Sequence, residues 1–470
     1  MARRPIMVMG CTSDAGKSFL TTALCRHFAD QGLRVAPFKA QNMSTNAAVT
    51  ADGLEIARAQ YVQALAARTA PDVRMNPVLL KPTSDTRSRV IVMGRHDAAM
   101  TAMPWLERRE RLWPIVKAAL DGIIADFDQV VIEGAGSPAE INLRSSDIVN
   151  MAVALECEAD VYLVADIDRG GAFAHLYGTW EFLAPDERGL IRGFVLNKFR
   201  GDEALLGNAM AQLEDRTGIP TVAIVPMRRV ALPDEDGFRY HGEPVDGQIN
   251  VALALFPYAS NLDEFDPLIH EPGVAVTPIR SRAPLGGYDA IILPGSTNTA
   301  ASLRHLRAEG LAEAIVEAAG AGTTILGVCG GLQMLGRQVL DPTELEGGDI
   351  TGLGLLDLST ELGADKVIRQ RSIHWNGGSI SGYEIHHGRT EAGESAEEWL
   401  PDGLGWRQGN VAGVYAHGMF DNGAFRQSFL AELGWQGHAH DWSVAIEAAI
   451  DQVGHLVVES GWAEMLDVGA

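Results

Sequence analysis

The stretch VMGCTSDAGKS (residues 8–18) decides the fold of the first half of the chain. An apolar run over residues 6–9 feeds a loop holding Gly10 and Gly16; Lys17 and Ser18 then open a helix with Leu20, Ala23, Leu24 and Phe28 at apolar positions. Glycines let backbone N–H groups turn toward an anion, and the helix N-terminus adds its positive dipole end. Lys17 is placed to reach terminal phosphates and the Ser18 hydroxyl to sit on Mg²⁺, with Thr12, Ser13 and Gly16 completing a cradle for ATP. A Gly-rich strand-to-helix turn without a ligand is the bland alternative, and GKS at this junction speaks against it. The spacing is G-x5-G-K-S, one residue longer than the standard phosphate loop, because Cys11 stands at the usual first glycine.

At 470 residues the chain exceeds one ordinary core, so about two or three domains are expected. A hydrophobic content of 46% with 21% charged residues fits a globular, soluble chain. The net charge of −23 argues against nucleic acid or an anionic membrane as partner. Cys11, Cys25, Cys157 and Cys329 are scattered without metal-type pairing, as in a reducing compartment. MARRPIMVMG enters a strand at once, leaving no room for a secretory apolar region, and no apolar run approaches the ~20 residues of a membrane helix. A cytoplasmic protein is expected, with the assembly state left open, a homo-oligomer included.

Outward from the loop, the helix is expected to end near Gly32 and residues 34–38 to form a second strand leading into Lys39, Gln41 and Asn42. Residues 56–68 and 113–125 have helical spacing, 76–81 and 90–93 read as short strands, and 82–86 as a turn. Apolar runs at 129–132, 161–164, 193–196 and 221–225 follow, the first three ending in Glu133, Asp166 and Asn197. Continuous apolar strands alternating with helices predict a parallel sheet buried on both faces, with ligands at the carboxyl ends of its strands. A carboxylate beside a phosphate loop is a natural Mg²⁺ ligand; Glu133 is the first candidate and Asp52 the second.

Residues 227–248 are rich in Pro, Asp, Glu and Gly and read as a linker. The expected division is a phosphate-loop α/β domain over 1–230, a linker over 231–248 and a second α/β domain over 249–470. In the second, strands are expected at 250–256, 288–293 and 323–328, with one helix from about 298 to 319. The last of these strands runs into GVCGGLQML, residues 327–335. A cysteine flanked by small residues at a strand-to-helix turn is a nucleophile elbow, which pushes the thiol out of the sheet and aims N–H groups at a developing oxyanion. A buried structural Cys329 would not need glycines on both sides. His417, at the end of a strand over 411–416, is the best-placed base, ahead of His386 and His387. Residues 442–462 carry a helix-spaced apolar stripe expected to pack on the second domain.

Several segments together carry a family resemblance: FKAQNMSTN (38–46), MNPVLLKP (75–82), VVIEGAGSPAEINL (130–143), DIVNM (147–151), DIDRGGAFAHLYGT (166–179) and NKFRGD (197–202). With a phosphate loop similar to that of dethiobiotin synthetases, and an elbow and late histidine similar to class I glutamine amidotransferases, the chain resembles the cobyric acid synthase family. The resemblance implies a phosphate-loop parallel-sheet synthetase domain followed by a flavodoxin-like amidotransferase domain. It implies Cys329 as nucleophile, His417 as base, Gln333 along the glutamine site, and oxyanion donors near Gly295 and Gly330. It also implies Asn197 as an adenine contact. The implied substrates are ATP with Mg²⁺, L-glutamine and adenosylcobyrinic acid a,c-diamide, amidated at its b, d, e and g carboxylates. From position at the strand ends, Lys39, Gln41, Asn42 and Arg169 are expected to meet that polycarboxylate, and Asp147 to help position it.

Three departures bear on the chemistry. The broader amidotransferase family has Glu two residues after its histidine, where this chain has Met419; a dyad, or another acid such as Glu384, is then required. Thr297 stands where relatives commonly carry Lys, and His387 where Met is more usual. The rival readings are the sister enzyme that forms the a,c-diamide, and a ParA-like ATPase carrying a non-catalytic amidotransferase fold.

Overall fold

The computed structural model describes residues 3–84, 86–228, 230, 232 and 243–467. Strand Ile6–Gly10 is buried at every position, as an apolar strand covered on both faces must be. It pairs in parallel with Asp160–Asp166 on one side and Gln129–Glu133 on the other. Ile191–Phe199 and Thr221–Pro226 extend the sheet past the first neighbour and Val35–Phe38 past the second, every pairing parallel. The carboxyl ends of these strands therefore bring Gly10, Glu133, Asp166 and Asn197 to one edge. A smaller sheet of Gln41–Met43, Val78–Ser84, Arg87–Val92 and Arg95–His96 stands beside it, with a hairpin of Ala47–Val49 and Glu55–Ala57. The turn expected over 82–86 is tighter than that, since one strand runs to Ser84 and the next begins at Arg87.

The second domain is built on a seven-stranded sheet in the order Val274–Ile279, Ile249–Ala254, Ala290–Leu293, Thr324–Val328, Val411–Val414, Gly405–Gln408 and Glu397–Leu400. The first five are parallel and the last two antiparallel. The single helix expected over 298–319 is two, Thr299–Ala308 and Leu311–Gly320, because Gly310 at φ 67° turns the chain between them. A long hairpin of Leu358–Trp375 and Gly378–Ala392 packs alongside and reaches the first domain. Most of the linker expected over 231–248 lies outside the described residues.

The C-terminal segment overturns its expected placing. Helix Trp442–Glu459 packs on helix Lys17–Asp30 of the first domain: Ala449, Ile450, Val453, Leu456 and Val457 share a core with Leu20, Ala23, Leu24 and Phe28. Gly454 lets the helices close, since a Cβ there would stand 2.5 Å from Cγ of Arg26. The buried Arg26 guanidinium reaches Glu447 at 2.7 Å and Asp451 at 3.5 Å, and Trp462 meets Tyr162 edge to face. The stripe was legible in the sequence; its partner was not, because an apolar helix face fits any apolar surface of matching shape.

Candidate active sites

The loop at the head of helix Lys17–Asp30 folds as its glycines dictate. Gly16 sits at φ 93°, and a Cβ there would stand 2.1 Å from Nδ2 of Asn197, so both conformation and space require glycine. Nζ of Lys17 curls back to donate to the carbonyls of Thr12 and Gly136, each at 3.3 Å. Ser13 lies exposed on the loop rim. The Ser18 hydroxyl donates to Oε1 of Glu133 at 2.9 Å, and Nζ of Lys39 donates to the same oxygen at 2.7 Å. Glu133 is fully buried; it tolerates burial because it has an ammonium, a hydroxyl and an amide as partners.

That amide belongs to a network the sequence did not disclose. Asn42 donates to Gln60 at 3.0 Å, Gln60 to Gln63 at 3.3 Å, and Gln63 to Oε2 of Glu133 at 2.5 Å, all four buried. Asn42 thus points into the interior and supports Glu133 rather than lining a substrate crevice, while Gln41 beside it is half-buried. Lys39 likewise belongs with Glu133. Arg169 is on the rim, paired with Asp14 at 3.1 Å and Asp166 at 3.5 Å and more than half exposed.

Two other expectations are corrected. Asp147 spends both carboxylate oxygens on the N–H groups of Val149, Asn150 and Ala152, capping the helix Met151–Glu156 instead of facing a substrate. Asp52 is exposed in the turn of the hairpin Ala47–Val49/Glu55–Ala57, where it accepts the Thr50 hydroxyl at 2.5 Å, outside the Ser18–Glu133 cluster. Asn197 donates to the carbonyl of Ala15 at 2.8 Å, bracing the loop from below. No group of three or more His, Cys, Asp or Glu side chains able to hold a metal occurs among the described residues.

The second site forms at the end of strand Thr324–Val328. Cys329 adopts φ 53° and ψ −106°, a conformation that side chains rarely occupy and that an elbow imposes. The turn packs tightly: a Cβ at Gly331 would stand 2.0 Å from the Leu293 carbonyl, and one at Gly330 would stand 2.8 Å from the Ser296 N–H nitrogen. Gly295 pairs with Ser260, and a Cβ there would come within 3.1 Å of the His417 ring. Gly295 and Gly330 thus meet around the thiol. Gln333 accepts from Thr299 and donates to the His387 carbonyl at 2.9 Å and Tyr415 at 3.2 Å, so it holds the wall of the site.

The acid missing at Met419 comes from elsewhere. Nδ1 of His417 donates to Oε1 of Glu264 at 3.0 Å, and Oε2 accepts the Gly418 N–H at 3.1 Å. Burial pushes the His417 imidazolium toward losing its proton, but the Glu264 carboxylate and the Cys329 sulfur outweigh it and raise its pKa well above the ordinary value. His417 is set up as an imidazolium beside the Cys329 sulfur, and Tyr383 stacks on the histidine ring at 5.4 Å. Glu384, the alternative acid, is taken by Arg369, Arg371 and His386. His386 stacks on Tyr415, and His387 donates Nδ1–H to the Gly363 carbonyl, 3.1 Å away. Glu264 lies in the short helical turn Leu262–Phe265, remote in sequence, and only the run NLDEF just after the first strand of the domain could have pointed to it.

The two sites are joined by one segment. In FKAQNMSTN, Lys39 lies at Glu133 and the last residue is Asn46, whose Oδ1 accepts the Leu262 N–H at 3.4 Å. Ala47 then donates to Asn261 at 3.0 Å, Tyr383 donates to the Ala47 carbonyl at 3.2 Å, and Arg58 pairs with Asp263 at 2.7 Å. Beside this seam, Glu55 is clasped by Lys81 of its own domain and Lys366 of the other, each at 2.6 Å. The cavity holding Cys329 and His417 is lined from both domains, with Lys81 and Arg89 contributed by the first.

Two family models match the chain. Residues 6–236 match the CobQ/CobB/MinD/ParA nucleotide binding domain, and residues 250–425 match the CobB/CobQ-like glutamine amidotransferase domain. The chain is 55% identical to the cobyric acid synthase of Deinococcus radiodurans, over 90% of this chain and 92% of that one. It is 53% identical to the cobyric acid synthase of Albidiferax ferrireducens, over 92% of this chain and 94% of the other. That of Variovorax paradoxus is also 53% identical, over 90% and 92% respectively. A nucleotide-binding sheet, a docked Cys–His–Glu site and likeness along nearly the whole length place the chain in the cobyric acid synthase family of amide-forming ligases.

Proposed function

We propose that the chain amidates the b, d, e and g carboxylates of adenosylcobyrinic acid a,c-diamide, using ATP and the amide nitrogen of glutamine. In this reading residues 1–230 form the synthetase and residues 249–470 the amidotransferase, except that the closing helix Trp442–Glu459 belongs structurally to the synthetase. The observation that carries the reading is the segment running from Lys39 at Glu133 to Asn46 and Ala47 at the glutaminase turn, which ties a phosphate site to an ammonia source.

A carboxylate does not accept ammonia directly because oxide is a poor leaving group. A substrate carboxylate oxygen attacks the γ-phosphorus of ATP, ADP leaves, and ammonia then displaces phosphate from the acyl phosphate. Lys17 and the loop N–H groups neutralise charge on the transferring phosphoryl group. Ser18 and Glu133, with hard oxygens 2.9 Å apart, are the residues that would hold Mg²⁺, which would supply further charge neutralisation when bound. At the other site, Cys329 sulfur attacks the glutamine carboxamide carbon and His417 gives its proton to the departing ammonia. The oxyanion is received near Gly295 and Gly330, and water releases glutamate from the thioester. Shelter between the domains keeps the ammonia unprotonated on its way to the synthetase.

The test of the acyl phosphate is isotope transfer. Heavy oxygen in the substrate carboxylates is expected to appear in the released phosphate; phosphate free of label contradicts the route.

A further inference from the structure

The end of the glutaminase cavity contributed by both domains carries charges that the chemistry at Cys329 does not use. Arg89, on strand Arg87–Val92 of the first domain, lines this cavity with its side chain only 12% exposed. Among the described residues the one hydrogen bond of its guanidinium is a 3.5 Å contact to Oε1 of Glu346, at the limit for such a bond. A guanidinium has five donors, so a half-buried one used this sparingly is set to receive a carboxylate through two parallel N–H groups. The neighbouring cations are engaged differently, for Lys81 and Lys366 both close on Glu55 at 2.6 Å.

Two acceptors stand opposite. Glu346 is anchored through Oε2 by the Thr299 N–H at 2.6 Å, leaving Oε1 toward Arg89. His387 is buried, and burial first, then Arg89 and Lys366, push it down to about 3, so its ring is neutral. A neutral ring that donates Nδ1–H to the Gly363 carbonyl at 3.1 Å carries a lone pair on Nε2, and that buried atom has no partner. Adjacent opposite charges, loosely paired and facing one cavity, match a zwitterion whose carboxylate and ammonium are separated by a single carbon. Thr297 spends its hydroxyl on the Pro82 carbonyl at 2.8 Å and brings no charge to this cavity, whereas Arg89 and Lys81 enter it from the other domain.

We propose that Arg89 of the synthetase domain binds the α-carboxylate of glutamine while Glu346 and His387 receive its α-ammonium, so that the glutamine site is complete only with the two domains docked. This rests on the reading of Cys329 as the glutaminase nucleophile. It makes Arg89 a specificity determinant that also reports docking of the synthetase to the glutaminase.

The test compares alkylation of Cys329, followed by intact mass, with two reagents. 6-Diazo-5-oxo-L-norleucine carries the amino-acid head of glutamine, and iodoacetamide does not. In the full-length Arg89→Met variant, labelling by the diazo reagent is expected to slow at least about ten-fold, the value of one charged hydrogen bond, with iodoacetamide labelling unchanged. Arg89→Lys should recover part of the loss, and Glu346→Gln should again slow only the diazo reagent. Equal slowing of both reagents, or of neither, overturns the proposal. A wild-type protein that the diazo reagent does not label would instead overturn the glutaminase reading itself.

Discussion

His417 donates Nδ1–H to Glu264 at 3.0 Å, across 153 residues of sequence. The acid that fixes the tautomer of His417 is thus supplied from the turn Leu262–Phe265, not from the strand end that carries the histidine. The second oxygen of Glu264 holds the Gly418 N–H, so one carboxylate orients both the ring and the backbone that presents it.

Replacing Glu264 with Gln is expected to lower glutaminase kcat on the order of 10²-fold or more, with KM for glutamine little changed. The sign of the pH effect follows from His417. Burial lowers its pKa, Glu264 and Cys329 raise it further, and the proton is held up to about 10. Activity that needs the imidazolium persists below that value and is lost above it. The variant should therefore bring the alkaline limb of the kcat profile to lower pH. An unmoved limb at full activity would mean that Glu264 does not act on the histidine.

Glu133→Gln leaves the Lys39 ammonium buried beside a neutral amide and removes the anion facing Ser18. Amidation should fall at least about 10²-fold with either glutamine or ammonia as donor, since both need the phosphoryl step. Glutamate release at Cys329 then serves as the contrast. A defect confined to the glutamine-dependent reaction would contradict the assignment of Glu133 to the synthetase.

Gly454→Leu drives a side chain into Arg26, where even a Cβ comes to 2.5 Å of Cγ. The cost should be about 1–3 kcal/mol, read as a lower urea midpoint for the first domain. ATP affinity should weaken with it, because helix Lys17–Asp30 carries the phosphate loop. Iodoacetamide labelling of Cys329 should not respond; a response there alone would place the C-terminal helix with the second domain.

Glu55→Gln strands two lysines in the seam and should cost about 3–5 kcal/mol. Burial would raise the Glu55 pKa, but Lys366 and Lys81 outweigh it and hold it at about 2. Its contribution is therefore complete above the ordinary carboxylate range and disappears as pH falls toward 2. The wild type should lose stability over that acid window more steeply than the variant, as followed by denaturant unfolding at several pH values. Parallel curves would show that the pair is not linked to stability.

The legible features were those encoded in local spacing. The glycines, Lys17 and Ser18 of the phosphate loop, the apolar parallel strands and the flanked Cys329 each follow from a rule acting within about ten residues. Glu264, the Asn42–Gln60–Gln63 chain and the partner of helix Trp442–Glu459 were not legible, because each depends on elements brought together from distant sequence. Asp147 shows the opposite error. It was expected to help position the substrate carboxylate, whereas the unpaired N–H groups of the next helix have a stronger claim on it. Gly310 ended a helix that periodicity alone would have continued.

The most direct test of the central claim is mass spectrometry of adenosylcobyrinic acid a,c-diamide incubated with the enzyme, Mg-ATP and glutamine, counting carboxylates converted to amides. Conversion at b, d, e and g is expected, lost in Cys329→Ala with glutamine and retained in that variant with ammonia. An untouched a,c-diamide, with cobyrinic acid gaining amides at a and c instead, would contradict it.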